Sequence, residues 1–400
     1  MRRRLILNAR EVSTELTRTV LGIDQHFRTS RSAGPDKLDQ EGLVPVQWSP
    51  LEPHPIDGWN DARSRLRTLL DRAAILPDPY ERDWLCEQTL SLSTLVRWLA
   101  GESLGYDAVV AGTLRIDPHP PSARALQRAR AAREAAVAAA GYGTYAAYAD
   151  AERVPSNEVG TIMTELIGQA RARTESRLPG LHLAPDTIGV KAVAGTAFSA
   201  YCDYPGRAVW VNTDIAFTRG DLKQLVAHEA YPGHDAHMSH RDALVRTGTM
   251  LPDGALVVTN TASSVLFEGI AERGLDLLEW REAASDQVAW THGRLQWLAS
   301  IEVAHGLNTG RLTATEAGQF LRDGCDADEA WIDAKLRFVT HGLRAPFVYT
   351  YWWGGTVVGR WWRGVRAADR DRAVRHLYDR MHSPGTLIAH ANQEEPDDAS

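Results

Sequence analysis

The stretch DLKQLVAHEAYPGH, residues 221–234, indicates an amphipathic helix that ends in chemically reactive groups. Leu222, Leu225 and Val226 stand at i, i+3 and i+4, which is the spacing of one buried helix face. Glu229, at i+7, falls on the same face, where a carboxylate is unfavourable unless something pairs with it. The sequence therefore predicts a helix whose buried face ends in a charged group that needs a partner.

The histidines of this stretch have an unusual spacing. In zinc proteases a metal-binding histidine directly precedes a glutamate that activates water, and His228 and Glu229 fit that order. The second histidine normally follows at i+4, but that position is Pro232, and His234 stands at i+6, about 240° around an ideal helix. Pro232 must kink or stop the helix, and Gly233 permits an unusual backbone angle. We therefore expect the chain to turn His234 back toward His228; the competing interpretation is a pair of solvated histidines.

Helical periodicity dominates the rest of the chain, for example over 80–100 and 122–140, so the sequence predicts a mainly α fold. Two short strands are expected directly before the histidine motif, Ala197–Cys202 and Ala208–Asn212, with a turn at 204–207 between them. This hairpin would lie beside the helix that carries the motif. Its edge strand could hold an extended peptide through main-chain hydrogen bonds.

Composition gives only a weak indication of domain boundaries. We expect a helical N-terminal region over 1–150 that continues as one domain into a metal-site region over 151–390. The acidic segment 391–400 is predicted to be a flexible tail, and the breaker-rich segment 29–42 to be a loop. The helix at 371–382 is expected to lie on the surface, with solvated histidines.

Charge and cysteine usage exclude several classes of function. The net charge of -7 provides no basic field for nucleic acid or an anionic membrane. No run of about 18 apolar residues is present, so no transmembrane helix is expected. Cys86, Cys202 and Cys325 are too few and too widely spaced for a disulfide framework, which favours the reducing cytoplasm.

The motif HEAYPGH resembles the signature of a bacterial family known as domain of unknown function 885, which is similar to the zinc metallopeptidases. Further landmarks follow the family's order: Val211-Asn212, Glu268-Gly269-Ile270-Ala271, Gly306-Leu307-Asn308, Pro346, Tyr349 and Gly354-Gly355. The resemblance covers roughly residues 150–365. It implies a multi-helix, metallopeptidase-like fold with a small β-hairpin or sheet next to the active site.

The resemblance also implies a metal centre. His228, His234 and Glu268 would hold one divalent ion, expected to be Zn²⁺ with Fe²⁺ or Mn²⁺ as alternatives, and would leave a position open for substrate. Glu229 would be the general base that takes a proton from water.

Three further side chains receive catalytic roles from the same resemblance. Tyr349 or Tyr351 would donate a hydrogen bond to the oxyanion that forms during hydrolysis. Arg344 would bind a carboxylate of the substrate through its planar fork.

Other candidates could orient the metal ligands or replace one of them. Glu272 lies one turn after Glu268 and is either the true ligand or the partner of an arginine. His237 follows His234 at i+3 and is expected near the pocket, whereas His240 is expected to be exposed. Asp235 could orient a ligand histidine, and His305 stands close to a position where the family has a histidine.

The leading hypothesis is a metal-dependent hydrolase, with zinc expected, that cleaves an amide or peptide bond in a peptide or small peptide-like substrate. The helix at 268–273 departs from the family, with Ile270 and Arg273 in place of its tryptophan and tyrosine. A divergent metal enzyme that performs a lyase, oxidative or tailoring step on a small metabolite is therefore the alternative. A binding protein without activity is a third possibility, and the oligomeric state stays open.

Overall fold

The computed structural model describes residues 8–30 and 40–390. The predicted tail over 391–400 lies outside the described residues, as does most of the predicted loop over 29–42. The described residues form a mainly α fold with two small sheets, which confirms the fold class predicted from the sequence.

The first part of the chain is helical, as predicted. Its helices are α1 (Ala9–Thr29), α2 (Trp59–Ala73), α3 (Pro79–Leu99), α4 (Tyr106–Leu114), α5 (Ala123–Ala139) and α6 (Tyr145–Ala151). Local chemistry sets where they begin: the Asp78 side chain accepts from the Glu81 amide ahead of α3, and the Ser122 side chain accepts from the Ala125 amide ahead of α5.

The second part surrounds the histidine motif with further helices. They are α7 (Val159–Arg177), α8 (Arg219–Glu229), α9 (His234–Thr247), α10 (Ala262–Glu272), α11 (Gly274–Leu277), α12 (Ala284–Asn308), α13 (Ala314–Cys325), α14 (Glu329–Thr340), α15 (Val348–Gly364), α16 (Arg370–Tyr378) and α17 (Pro384–Ala389). Short 3₁₀ turns lie at Pro252–Ala255 and Ala367–Asp369. No described helix combines the length and the hydropathy that crossing a membrane requires.

The strands are short. β1 (Val46–Gln47) pairs antiparallel with β5 (Leu256–Val257). The larger sheet contains β2 (Gly189–Val193), β3 (Ala200–Asp203) and β4 (Ala208–Asn212) in the order β2-β4-β3. The antiparallel pair β3–β4 confirms the predicted hairpin. The parallel strand β2 was not predicted, because most of its residues are exposed and it lacks a buried alternating pattern.

Helices α10 and α15 approach each other closely at a pair of glycines. A Cβ atom on Gly354 would lie 2.0 Å from the carbonyl oxygen of Val265, and one on Gly269 would lie 2.5 Å from the backbone of Gly354. Close helix packing therefore explains why both positions are glycine. The packing brings Glu268 of α10 close to Tyr351 of α15.

The two predicted regions share apolar contacts. Leu256, Val258 and Leu343, all from the second region, pack in the apolar cluster formed by α1, α2 and α3. Asp253 adds a polar connection, since its carboxylate accepts from Ser13 of α1 and, at 2.9 Å, from the indole of Trp84 of α3.

The expectation that three histidines are solvated or exposed is wrong. His240, His376 and His382 are all buried. His240 sits between two partners, with Nδ1 accepting from the His182 amide at 3.0 Å and Nε2 lying 2.7 Å from Asp379. The polar appearance of the 371–382 segment conceals an inward face, which α16 packs against the protein.

Candidate metal centre

The histidine motif breaks the helix as its proline and glycine predict. Helix α8 ends at Glu229 and α9 begins at His234, with a cis peptide bond between Tyr231 and Pro232. Gly233 is required sterically, because a Cβ atom there would lie 1.8 Å from the carbonyl oxygen of His228. The break turns the chain so that the two imidazole rings of the motif meet, with centroids 4.6 Å apart and planes at 85°.

Glu268 of α10 completes a buried cluster with the two histidines. Its Oε2 atom lies 3.2 Å from Nε2 of His228 and 3.6 Å from Nε2 of His234. One potential ligand atom from each residue lies within 4.8 Å of the others. Two imidazoles and one carboxylate in this arrangement form a common protein site for zinc.

An unsatisfied polar atom supports a cation at this cluster. Oε2 of Glu268 is buried and makes no hydrogen bond of acceptable geometry within the described residues. Its nearest neighbours are the imidazole nitrogens at 3.2 and 3.6 Å, so the buried oxygen would be stabilised either by protonated imidazoles or by a cation bound between them. A divalent ion bound by Glu268, His228 and His234 would provide this stabilisation, and the donor set suits zinc or iron.

Glu272 lies behind His228 rather than with the potential ligand atoms. Its Oε1 atom is 3.2 Å from Nδ1 of His228, on the opposite side of the ring from Glu268. A carboxylate on the second ring nitrogen fixes the tautomer and orientation of a metal-binding histidine. The structure therefore favours support of a ligand over direct ligation, and it pairs Glu272 with His228 rather than with the arginine considered as its partner.

The electrostatics of the cluster favour positive charge. Burial alone would lower the pKa of His228, but its contacts with Glu268 and Glu272 outweigh burial and raise that pKa well above its usual range. Burial would likewise raise the pKa of Glu268, but the two imidazoles hold it at about 2. The carboxylates thus stabilise a positive charge among them, and a divalent ion would supply that charge in place of a proton.

Glu229 is buried beside the cluster and lines the same cavity. Burial raises the pKa of its carboxyl group, His228 and His234 lower it, and a hydrogen bond from the Cys202 backbone lowers it further. Strand β3 of the predicted hairpin therefore contacts the candidate base directly. A carboxylate with a raised pKa is better suited to accept a proton than an ordinary glutamate.

The cluster opens into a cavity of about 460 Å³. Strand β3 and the residues before it form one wall, and aromatic side chains of α12, α14 and α15 form another. The aromatic wall contains Trp290, Trp297, Trp331, Phe338 and Tyr351. This volume matches a small-molecule site with apolar walls and a few polar groups.

The structure separates the two tyrosines considered as oxyanion donors. Tyr351 lines the cavity, and its ring stacks on Trp297 at 4.1 Å and lies 6.1 Å from the ring of His228. Burial, together with the nearby carboxylates, raises the pKa of Tyr351 well above 10, so its hydroxyl stays a donor. Tyr349 is fully buried against Tyr106 and does not line the cavity, because it points away on the other face of α15.

Arg344 reaches the cavity but already has a partner. Its guanidinium forms a buried ion pair with Glu41. Tyr201 of β3 lies beside this pair and also lines the cavity. The predicted role of Arg344 as a free fork for a substrate carboxylate is therefore not supported by its contacts.

Two other candidates from the sequence lie away from the potential ligand atoms. Asp235 is fully buried and forms an ion pair with Arg207 from the hairpin turn, so it anchors the hairpin to α9. His305 lies outside the cavity, with Nε2 3.0 Å from Asp107. The side chains of both residues pair with neighbouring elements rather than with the metal-binding candidates.

His237 is buried close to the cluster without belonging to it. Its ring packs against Phe267 at 5.5 Å and Tyr378 at 5.3 Å, and neither nitrogen has a hydrogen-bond partner within the described residues. Burial lowers its pKa well below the usual range, so the ring is neutral. His237 therefore lies near the pocket, as expected, but it packs against aromatic rings and does not line the cavity.

Sequence reasoning missed several cavity residues. Glu41, Tyr201, Trp297 and Lys335 line the cavity from four separate elements or loops, and only the fold brings them together. Of these residues, Lys335 could have been noticed in the sequence, because the chain contains only four lysines.

No protein-family model matches the chain, and no curated protein matches it in sequence. In fold the chain is similar to a candidate lipoprotein from Colwellia psychrerythraea, with a TM-score of 0.55 and 14% sequence identity; the match covers 84% of this chain and 69% of that chain. A candidate lipoprotein of unknown function from Shewanella oneidensis gives a TM-score of 0.48 and 12% identity, with 83% of this chain and 71% of that chain covered. The likeness to the Colwellia protein concerns the fold alone.

Proposed function

We propose that this protein is a metal-dependent hydrolase, with zinc as the metal, that cleaves an amide bond in a small peptide or peptide-like substrate. The observation that carries the proposal is the buried cluster of His228, His234 and Glu268, whose unsatisfied oxygen faces two imidazoles at the end of a cavity. Glu229, beside the cluster in the same cavity, adds a candidate base.

The residues around the cluster have complementary roles in such a reaction. Zinc bound there would polarise the amide carbonyl and make water more acidic. Glu229 would accept the proton of the attacking water and pass it to the leaving nitrogen. Tyr351 would donate a hydrogen bond to the oxygen that becomes negative, and Glu272 would hold His228 in position.

The cavity favours a short substrate. A volume of about 460 Å³ accommodates a small molecule, and apolar side chains dominate its walls. Strand β3 lies at an edge of its sheet, and Ala200, Tyr201 and Cys202 line the cavity. Main-chain groups at this edge could pair with the backbone of a peptide, as the sequence suggested, although the Cys202 backbone also donates a hydrogen bond to Glu229.

The alternative proposal is a divergent metal enzyme that performs a lyase, oxidative or tailoring step on a small metabolite. Two histidines and one carboxylate also suit iron, and an aromatic cavity suits a small metabolite. The cytoplasmic location likewise stays a prediction, consistent with three cysteines that are free in the structure.

The decisive experiment compares zinc content and activity in matched variants. Wild-type protein should contain about one zinc per chain by elemental analysis and hydrolyse members of an N-acyl dipeptide panel. Glu229→Gln should keep the zinc and lose activity by about a hundredfold or more, because proton transfer from water would lack its acceptor. His234→Ala should lose the zinc itself.

Glu175→Gln provides the control, since Glu175 is exposed and lies outside the cavity. It should match the wild type in both measurements. Metal content well below one per chain in the wild type would overturn the proposal. Iron in place of zinc would favour the alternative metal chemistry, and loss of zinc from Glu229→Gln would make Glu229 a ligand.

A further inference from the structure

Lys335 of α14 lies in a cradle of aromatic rings inside the cavity. Its Nζ atom is 4.4 Å from the ring centre of Trp297, 5.1 Å from that of Trp331 and 5.5 Å from that of Phe338. All three rings, like Lys335 itself, line the cavity of the metal centre. The ring faces attract the ammonium group without neutralising its charge.

Among the lysines of the described residues, only Lys335 is partly buried without an ion-pair partner. Each of the three lysines within residues 8–30 and 40–390 lies over a tryptophan ring. Lys223 is buried and paired with Asp286 at 2.6 Å, whereas Lys191 is exposed to water. Within those residues Lys335 makes neither an ion pair nor a hydrogen bond, although it is partly buried.

The missing counter-charge has an energetic consequence. Burial lowers the pKa of Lys335 to about 7, against the weaker opposing influence of Glu272. The charged form is thus destabilised in the protein alone and would be stabilised by an anion that enters the cavity.

Stacked rings connect Lys335 with the metal centre along one wall. Trp297, which contacts Lys335, stacks face to face with Tyr351 at an interplanar angle of 6°. Tyr351 in turn lies beside His228, with ring centroids 6.1 Å apart. A short molecule lying along this wall would place one end at the metal-binding cluster and the other at the ammonium group.

Two of the three arginines that line the cavity already have partners: Arg344 is paired with Glu41, and Arg153 with Asp150. Arg294 makes no ion pair within the described residues. Its guanidinium lies over Trp352 at 4.1 Å, outside the cavity lining, and over Trp290 at 5.3 Å, within it, so Arg294 is the competing site for an anion.

We infer that Lys335 binds a carboxylate of the substrate at the end of the cavity away from the metal centre. The substrates would then be short acidic amides, such as N-acyl amino acids or small peptides with a free carboxylate. The inference rests on the proposed function for the amide at the metal centre. It transfers to Lys335 the anion-binding role that the family resemblance implied for Arg344.

The test uses two probes that differ only in charge, N-acetyl-phenylalanine and N-acetyl-phenylalaninamide, titrated calorimetrically into the full chain. Wild-type protein should bind the acid about tenfold or more tightly than the amide, because a charge-assisted contact is lost in the amide. Lys335→Met should remove that preference, and Lys335→Arg should retain most of it. Each variant's melting temperature reports whether it is folded.

Two control variants locate the effect. Lys191→Met removes a lysine from a similar ring contact outside the cavity and should leave the preference unchanged. Arg294→Gln should also leave it unchanged; a loss there would assign the anion to Arg294 and overturn the inference.

Measurements on zinc-loaded and zinc-stripped protein separate this inference from the proposed function. If the metal binds the carboxylate, Lys335→Met should still prefer the acid over the amide. Removal of zinc should then abolish that preference. Absence of zinc or of hydrolysis would refute the proposed function, while the acid preference of the stripped wild type still tests Lys335. Wild-type protein that binds the acid no more tightly than the amide, or binds neither, would overturn the inference.

Discussion

Glu268 and Glu272 show how two identical side chains on successive turns of one helix acquire different roles. Glu268 faces the Nε2 atoms of both histidines, whereas Glu272 contacts only Nδ1 of His228. Spacing along α10 places both on one face and cannot rank them. The two glutamates are distinguished by the ring nitrogen of His228 that each one contacts.

Replacing Glu272 by glutamine should weaken zinc binding without abolishing it. The amide cannot supply the negative charge that orients and polarises His228, so affinity should fall by about ten- to a hundredfold. Chelator competition measures the affinity, with the exposed Glu282→Gln as control. Glu268→Gln should lose far more affinity. Equal losses in the two α10 variants would contradict the separate roles.

Tyr351 and Tyr349 form a matched pair for testing the oxyanion donor. Tyr351→Phe should lower kcat by roughly a hundredfold with little change in KM, because the lost hydrogen bond forms mainly in the transition state. Tyr349→Phe should leave kcat unchanged, since Tyr349 lies outside the cavity. Steady-state kinetics on one N-acyl dipeptide measures both variants. A larger effect at Tyr349 would refute the assignment.

At the scale of elements, the site depends on a helix that stops and a helix pair that packs closely. The break between α8 and α9 brings His234 to His228, and the glycine contact between α10 and α15 brings Glu268 to Tyr351. The helix break and the helix contact both depend on a glycine without a side chain. The carbonyl of His228 lies close to Gly233, and the carbonyl of Val265 lies close to Gly354. A single added methyl group would therefore disturb the helix break at Gly233 or the helix contact at Gly354.

Gly354→Ala should destabilise the protein because its Cβ would overlap the backbone of α10. Overpacking of this kind lowers the free energy of unfolding by about 1–3 kcal/mol or more. Urea denaturation measures the change. Gly168→Ala in α7 is the matched control: nothing lies within 4 Å of the added methyl, so stability should stay equal or rise slightly. Equal stability of both variants would refute the close contact.

At the scale of the molecule, the N-terminal helices are part of the fold that supports the cavity. Asp253, just before β5, accepts hydrogen bonds from Ser13 and Trp84 in the interior. The loop after α1 also supplies Glu41, which pairs with Arg344 at the cavity. These contacts join the two regions named from the sequence, and that the regions unfold as one continuous domain stays a prediction.

Asp253→Ala should therefore destabilise both regions together. The change leaves the Trp84 indole and the Ser13 hydroxyl without their acceptor, and should lower the free energy of unfolding by about 2–4 kcal/mol. Circular dichroism and tryptophan fluorescence should report one shared transition during urea denaturation. The exposed Asp150→Ala serves as control. Two separate transitions in the wild type would indicate independent domains.

The sequence alone determined the features that depend on local chemistry. Helical periodicity predicted a mainly α fold, and two strand-like segments on either side of the turn at 204–207 predicted the hairpin of β3 and β4. Pro232 and Gly233 required a broken helix, because a proline ring and a close carbonyl forbid its continuation. The break allowed His234 to turn back toward His228, as we expected, and the two rings lie together in the structure.

Only the tertiary structure decided which distant side chains share the cavity. It placed Tyr351 inside and Tyr349 outside, paired Arg344 with Glu41, and brought Lys335 to Trp297. Sequence patterns report which face of a helix is buried, but the identity of the partner across that face depends on how helices from distant parts of the chain pack. The motif therefore fixed the two histidines, and the packing of α10, α12, α14 and α15 fixed what surrounds them.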